Sequence, residues 1–265
     1  MIPVSIVIIA KNEAEVIANC ISRAMLITND IVIVDNGSTD QTVAMAQAYG
    51  CRVYHSNWGG YGANKNKGIE LALHDWILSI DADELPDIEL VHALRQIDFD
   101  DTGVVYDIKF KPYFGQKQIR FGNWGRDHHI RLFNRKLVKW SEPKVHETLI
   151  LPKNIAKQRL KGYLHHYSVK DGRECNQKAV YYARLSAEKY FKIGKKVNAV
   201  NLYLSPVFSF VVSYIIFMGF LDGKEGFEIS KQIMLNKWLK YQYLSQMEQA
   251  YQKNGFVKNT FTIEY

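Results

Sequence analysis

The stretch VSIVIIAKNE, Val4–Glu13, opens with a nearly unbroken apolar run, Val4–Ala10, and stops on Lys11, Asn12 and Glu13. A strand with one wet face alternates apolar and polar residues, whereas a solid run is expected of a strand covered on both faces, as in a parallel sheet. The pattern repeats outward from this stretch. Ile31–Asp35 and Trp76–Asp81 are further solid runs and Cys51–His55 is a shorter one, with helical periodicity at Glu13–Ile27, Gln41–Tyr49, Lys67–Leu73 and from Asp87 to Gln96. Strand and helix in alternation predict a doubly wound α/β unit with a mostly parallel sheet.

After residue 100 the texture changes. Val104–Lys111, Lys117–Gly122 and His129–Asn134 predict strands joined by Gly and aromatic residues, a small antiparallel extension. Asp171–Ile193 spaces Ala179, Tyr182, Ala183, Ser186 and Tyr190 three and four apart, which predicts a long helix. The expected organisation is an α/β domain over residues 1–165 and a helical region over 166–265. In the helical region SPVFSFVVSYIIFMGFLDG, Ser205–Gly223, is the most apolar segment of the chain. Ser205 as N-cap, Pro206 in the first turn and Gly223 as a stop predict a helix over Pro206–Leu221. At about 24 Å it falls short of the ~30 Å hydrocarbon core of a bilayer. Two expectations follow, a buried core helix or an in-plane membrane contact, the second favoured by the flanking Lys192, Lys195, Lys196, Lys224 and Lys231.

With 265 residues, 47% of them hydrophobic, the chain can bury a sizeable core, which argues against disorder. Its three cysteines, Cys20, Cys51 and Cys175, sit at unrelated spacings that fit neither a disulfide framework nor a Cys/His metal site and suit a reduced compartment. The first residues lack a basic n-region and a small-residue cleavage site, so a cytoplasmic protein is expected, with no nucleic-acid partner. The net charge of +7 conceals a division. Residues 1–100 hold 6 Lys/Arg against 14 Asp/Glu, net −8, and residues 101–265 hold 28 against 13, net +15. Either a negatively charged partner on the basic side or solvated Lys-rich helix faces account for this.

Ligands of a doubly wound sheet bind beyond the carboxyl ends of its strands. Here those ends are AKNE (Ala10–Glu13), DNGSTD (Asp35–Asp40) and DADE (Asp81–Glu84). Asn36-Gly37 reads as a turn and Ser38, Thr39 or Asp40 as a helix cap, leaving Asp35 to accept a ring N–H or a ribose hydroxyl. Asp81 and Asp83, two apart on an extended segment, point the same way and can share Mg2+ or Mn2+, with positions left for phosphate oxygens. Glu84, just ahead of Pro86, suits the start of the next helix. Lys65 and Asn66 supply a positive side to the crevice. No GxGxxG follows the first strand, which argues against a dinucleotide site.

In order and spacing, VSIVIIAKNEA, IVIVDNGSTDQT and KNKGIELALHDWILSIDADE resemble glycosyltransferase family 2. Further on, HIRLFNRKLVKWSEPKVHETL (His129–Leu149), GYLHHYS and GFLDGKEG resemble its lipopolysaccharide-core branch, β-1,4-glucosyltransferases acting on inner-core heptose. The resemblance implies a GT-A fold carrying a C-terminal helical region. It also implies a metal-dependent, inverting transfer of a hexose, glucose first, from a UDP-sugar to a lipid-linked oligosaccharide, with Mn2+ or Mg2+ as cofactor. It assigns Asp35 to the uracil ring, Glu13 to the nucleoside, Asp81 to ribose and metal, and Asp83 to the metal beneath the diphosphate. Ala10, Asn12, Lys65, Asn66 and Ala82 complete the nucleotide-sugar contacts, with Lys65-Asn66 standing where the family has Arg-Asn. Glu147 becomes the general base, with Glu84 and Asp127 as alternatives. Arg126, Arg131, His146 and His166 are candidates for phosphate or acceptor contacts, with His165 beside them; for the arginines a structural salt bridge is the competing reading. The basic half would meet an anionic membrane surface at the inner face of the cytoplasmic membrane. Two alternatives stay open: a peripheral membrane scaffold that keeps the fold without the reaction, and a sugar-phosphate nucleotidyltransferase. The latter wants a Gly-rich, Arg-containing loop after the first strand, and AKNEAEVIANC offers none.

Overall fold

The solid apolar runs become strands: β1 (Val4–Ala10), β2 (Ile31–Asp35), β3 (Arg52–His55) and β4 (Trp76–Asp81) lie side by side in the order β3-β2-β1-β4, all parallel. The computed structural model describes residues 1–141 and 147–253. Every residue of β1 and β2 is buried because successive side chains feed opposite cores. Ile6, Ile8 and Ile33 meet Ile17, Cys20 and Ile21 of α1 (Ile17–Ala24), together with Leu90 and Leu94 of α4 (Ile88–Leu94). Val7, Ile9, Val32 and Val34 meet Ile69 of α3 (Tyr61–Glu70), with Phe133 and Trp140. Between β2 and β3 runs α2 (Thr42–Ala48).

The sheet continues through the extension. It adds β5 (Glu84–Pro86), β6 (Val104–Phe114), the two-residue β7 (Lys117–Gln118), β8 (His128–Asn134) and β11 (Ala156–Val169) in the path β4-β8-β6-β11-β5. β8 is antiparallel to both β4 and β6, β5 is antiparallel to β11, and β11 is parallel to β6. A separate ribbon pairs β9 (Lys139–Trp140) with β10 (Leu149–Ile150). The result is a mixed, GT-A-type α/β sheet with antiparallel strands and long C-terminal helices.

Several expectations need correction. Two compact units meet after Lys170, where β11, unforeseen from the sequence, has carried the sheet to Val169. Glu84 does not start a helix: Glu84–Pro86 pairs with β11, and Asp87 caps α4 by accepting from Leu90 N at 2.8 Å. α3 begins at Tyr61, six residues earlier than expected, launched from Gly60 at φ 104°, so Lys65 and Asn66 are helical.

The second unit begins at Asp171, whose carboxylate caps α5 (Gly172–Lys192) by accepting from Arg173 N and Glu174 N. Ser205 is no N-cap. It lies inside a helical run, Val200–Ile216, in which α6 (Ser205–Val211) is flanked by π-helical turns and Asn198 supplies the cap to Asn201 N at 2.8 Å. The run breaks at Met218, left-handed at φ 57°, and Gly223 opens α7 (Gly223–Lys253) instead of ending a helix. Among the described residues no single helix is long and apolar enough to cross a membrane; Val200–Ile216 and the helical stretch from Gly219 meet at a 71° bend.

Candidate active site

Because β1–β4 run parallel, their carboxyl ends share one edge: the register pairs Ala10 with Asp35, Asp35 with His55, and Ile9 with Asp81. The loops beyond β1 and β2 are laced together there. Asn12, left-handed at φ 57°, a conformation that Asn tolerates, accepts from Thr39 N at 2.8 Å while its own N–H donates to Ser38 Oγ at 2.9 Å. Glu13 N donates to Thr42 Oγ1 and Ala14 N to Asp40. Ala10 takes part through its main chain, accepting from Asn36 N.

Asp35 is buried and accepts from Gly37 N and Ser38 N, with His55 Nδ1 at 3.1 Å. Burial alone would raise its pKa, but the hydrogen bonds from Ser38, His55 and Gly37 hold it below the usual carboxylate range. A fixed negative acceptor at the strand edge results.

At the end of β4 the acidic residues part company. Asp81 lies between two buried cations, with Lys65 Nζ 3.2 Å from Oδ1 and Arg131 Nη2 3.2 Å from Oδ2. Against the effect of burial, Lys65, Arg131 and His166 hold Asp81 far below the usual range. Glu84 is wholly enclosed: Oε1 contacts the Arg131 guanidinium and Oε2 accepts from Asp81 N at 3.0 Å. Burial pushes its carboxyl up to about 7, helped by Asp81 and opposed by Arg131. Arg131, stacked over Phe110 at 5.3 Å, is the counterion of this acid pair, the structural salt bridge that competed with an acceptor contact. Glu84, the alternative base, is 1% exposed. Ala82 packs into the core between them.

Asp83 faces the other way, toward β11, where His166 Nε2 stands 3.4 Å from its Oδ2 and Tyr167 N donates to its carbonyl at 3.1 Å. Both side chains are about one-quarter exposed, 24% and 27%. A carboxylate oxygen and an imidazole nitrogen, converging and open to solvent, suit Mn2+ or Mg2+ with positions left for phosphate oxygens. Among the described residues no group of three or more such ligands converges. Among the described residues Asp81 Oδ1 is buried without a hydrogen bond, with the Lys65 ammonium 3.2 Å away. Charge at Asp83 draws His166 up to about 9 despite its burial.

Lys65 Nζ is also 3.2 Å from Glu147 Oε1 and lies 4.7 Å above the Trp140 ring. Asn66 clamps the Trp140 backbone, donating to its carbonyl and accepting from its N–H, both at 2.9 Å. Gly62 permits this approach: a Cβ there would stand 1.9 Å from the Ser141 carbonyl oxygen and 3.2 Å from Glu147 Cβ. Lys65 and Asn66, expected to supply a positive side to the crevice, thus also hold Glu147 and the Trp140 backbone.

Of the other expected residues, Asp127 lies within electrostatic reach of His166 and Arg131. Asp127 pairs with His129 at 2.9 Å, Arg126 sits exposed on the single turn Trp124–Arg126, and His165 bonds Tyr113 Oη at 2.9 Å. His146 lies outside the described residues. His55 and Trp140 were missed. The rule that singled out Asp35, a polar residue at a strand's carboxyl end, applies equally to His55; nothing local marks Trp140. The thiols are inert: burial raises Cys51 and Cys175 to about 11 and Cys20 well above the ordinary value. A surface depression of about 400 Å³ lined by Pro3, Trp76, Phe99 and Asn134 lies at the opposite, amino-terminal edge of the strands.

The family profile described as glycosyl transferase family 2 matches residues 5–150, more than half of the chain. The chain belongs to glycosyltransferase family 2. Among relatives of this glycosyltransferase, an uncharacterized glycosyltransferase of Rickettsia typhi is 30% identical over 236 residues, covering 84% of this chain and 80% of its own. The lipopolysaccharide core biosynthesis glycosyltransferase LpsC of Rhizobium meliloti is 29% identical over 220 residues, 80% of this chain and 81% of its own. Among solved structures, S. aureus TarS 1–349 covers 93% of this chain and 91% of its own at 14% identity and TM-score 0.47. Glucosyl-3-phosphoglycerate synthase of Mycobacterium tuberculosis, solved with Mn2+ and UDP-glucose, covers 43% and 45% at 25% identity and TM-score 0.34.

Proposed function

We propose that this family 2 enzyme transfers a hexose, glucose first, from a UDP-sugar to a lipid-linked oligosaccharide such as the inner core of lipopolysaccharide, with inversion, at the inner face of the cytoplasmic membrane. The observation that carries the reading is the junction at Lys65. One buried ammonium, 3.2 Å from Asp81 and 3.2 Å from Glu147, joins the carboxylates at the strand edge to a separate acid on the far side of the crevice. Binding a donor and activating an acceptor require two such acidic stations. The relation to LpsC, named for lipopolysaccharide core biosynthesis, supports the acceptor class.

In this reading Asp35 accepts the uracil N–H, and the laced loop at Asn12 and Glu13 borders the nucleoside. Asp83 and His166 would hold Mn2+ or Mg2+, with Asp81 beside them, and such an ion would supply positive charge toward the diphosphate of the donor. Glu147 takes the proton of an acceptor hydroxyl. The acceptor oxygen bonds to the anomeric carbon as the bond from that carbon to UDP breaks, and attack from the opposite face inverts the centre. Lys65 keeps Glu147 oriented and balances its charge beforehand.

A panel of nucleotide sugars with Mn2+ or Mg2+, read as released UDP, tests the donor. UDP-glucose should turn over fastest, and Glu147→Gln should abolish transfer to a core acceptor while UDP still binds. Turnover confined to non-uridine donors, or full transfer by Glu147→Gln, would remove the proposal.

A further inference from the structure

The helical run Val200–Ile216 and its turn to Leu221 are built inside out. From Val197 to Leu221 the sequence contains no Asp, Glu, Lys or Arg. A water-facing helix of such composition hides its apolar stripe, yet here Leu204, Val207, Phe208, Ile215, Ile216 and Leu221 are exposed, each by more than half. Leu204, Val207, Phe208 and Ile215 fall on one face at helical spacing. The opposite face, against α7, carries serines at every fourth position. Ser213 is fully buried and accepts from Ser230 Oγ at 3.0 Å, while Ser209 accepts from Lys237 Nζ at 2.7 Å and donates to the Ser205 carbonyl at 2.9 Å.

At the bend the backbones touch. A Cβ on Gly226 would lie 1.9 Å from the Gly219 carbonyl oxygen, and one on Gly219 would lie 2.7 Å from that of Ser213. Phe210, Tyr214, Phe220 and Phe227 interlock edge to face around them, with centroids 5.6 to 6.2 Å apart for the Tyr214–Phe227 and Tyr214–Phe220 pairs. Small residues and hydroxyls between helices with apolar side chains outside are the packing of helices whose surroundings are hydrocarbon. Contiguous exposed apolar faces rimmed by polar residues mark contacts with partners or membranes.

The charges at its borders indicate what covers this face. Lys195 and Lys196 precede the uncharged stretch and Lys224 follows it, all exposed, as anionic headgroups at the border of an apolar slab require. A run of 17 residues, Val200–Ile216, is short of the about 20 that span a hydrocarbon core and is followed by a 71° bend, the geometry of a segment that enters one leaflet.

We propose that Val200–Leu221 is a monotopic wedge, laid into one leaflet of an anionic membrane with Leu204, Phe208 and Ile215 among the acyl chains and Lys195 and Lys224 at the headgroups. The wedge is independent of the donor chemistry and stands even if the acceptor is not lipid-linked. The test is co-sedimentation of the full chain with vesicles of phosphatidylethanolamine and phosphatidylglycerol, beside vesicles of phosphatidylcholine alone. Binding is expected to the anionic vesicles. The pair Phe208→Asp and Ile215→Asp should weaken it by about a hundredfold, tenfold or more per lost side chain, while its circular dichroism and UDP-dependent rise in Tm match the parent. Lys195→Glu should weaken binding about fivefold, an effect that fades with salt. In Phe208→Trp, emission should shift to the blue on binding and be quenched more by a spin label near the headgroup than by one at the bilayer centre. No sedimentation of the folded parent at low salt overturns the proposal. So does unchanged binding by the Asp pair, stronger quenching from the centre, or a vesicle-indifferent dimer that the Asp pair disperses, which would make the face a contact between copies.

Discussion

Replacing Arg131 by Met asks what one guanidinium does for the acids beneath it. Met supplies an unbranched apolar side chain but removes the guanidinium that lies over Phe110, touches Glu84 and stands 3.2 Å from Asp81. Asp81 keeps Lys65 at 3.2 Å, so the loss falls on Glu84, whose side chain is 1% exposed. Removing one partner of a buried ion pair costs about 3–5 kcal/mol. The cost depends on pH with a definite sign. The folded-state pKa of Glu84 is already raised to about 7 by burial, against about 4.3 unfolded, and loss of Arg131 raises it further. A raised carboxyl disfavours folding as pH climbs toward the folded pKa, so the variant should lose most at pH 9 and least at pH 6. Each further tenfold gain in the proton affinity of Glu84 makes the two conditions differ by about 1.4 kcal/mol. Urea unfolding followed by tryptophan emission measures both values, and Glu84→Gln in the same chain should recover much of the loss at pH 9. A penalty below about 1 kcal/mol, or one independent of pH, would refute the assignment of Arg131 as a buried counterion.

Lys65→Met should lower kcat about a hundredfold, the usual scale for an acid–base group, with UDP affinity changed by no more than a few-fold; steady-state kinetics beside calorimetry check it. Gly62→Ala should drive a methyl group into the Ser141 carbonyl, costing roughly 1–3 kcal/mol and lowering transfer, read by thermal unfolding and activity. The Asp83 charge raises His166 to about 9, so the stability it contributes is full below its unfolded pKa of about 6.5 and is lost as pH rises through 9. His166→Gln should flatten that decline in chemical unfolding from pH 6 to pH 10.

Where the sequence pattern follows burial, it predicted structure closely. β2 and β4 span the expected residues because strands covered on both faces must be apolar throughout, and Asp35 and Asp81 end them where backbone N–H groups or cations at the strand edge partner a carboxylate. β11 escaped notice for the converse reason. Its amino-terminal half, AKQRL, is largely exposed beside β6, so no apolar run or alternation marks it. The same limit explains Glu84 and Arg131, 47 residues apart, whose pairing depends on β4 lying against β8 and not on any local spacing. Lys65 was expected at the crevice and is there, but its dual role depends on the approach of Glu147 from 82 positions away. Ser205 misled because a serine ahead of Pro has the chemistry of a cap, while the helix had already started at the turn capped by Asn198.

The central claim is that Asp83 binds a donor diphosphate through a divalent cation. Thermal unfolding with UDP and Mn2+, run side by side on the parent and on Asp83→Ala, tests it most directly. The account predicts a rise in Tm for the parent that needs both additions, and none for Asp83→Ala, whose Tm without ligand stays near that of the parent. A parent indifferent to UDP and Mn2+, or an Asp83→Ala protein stabilised as much as the parent, would contradict it.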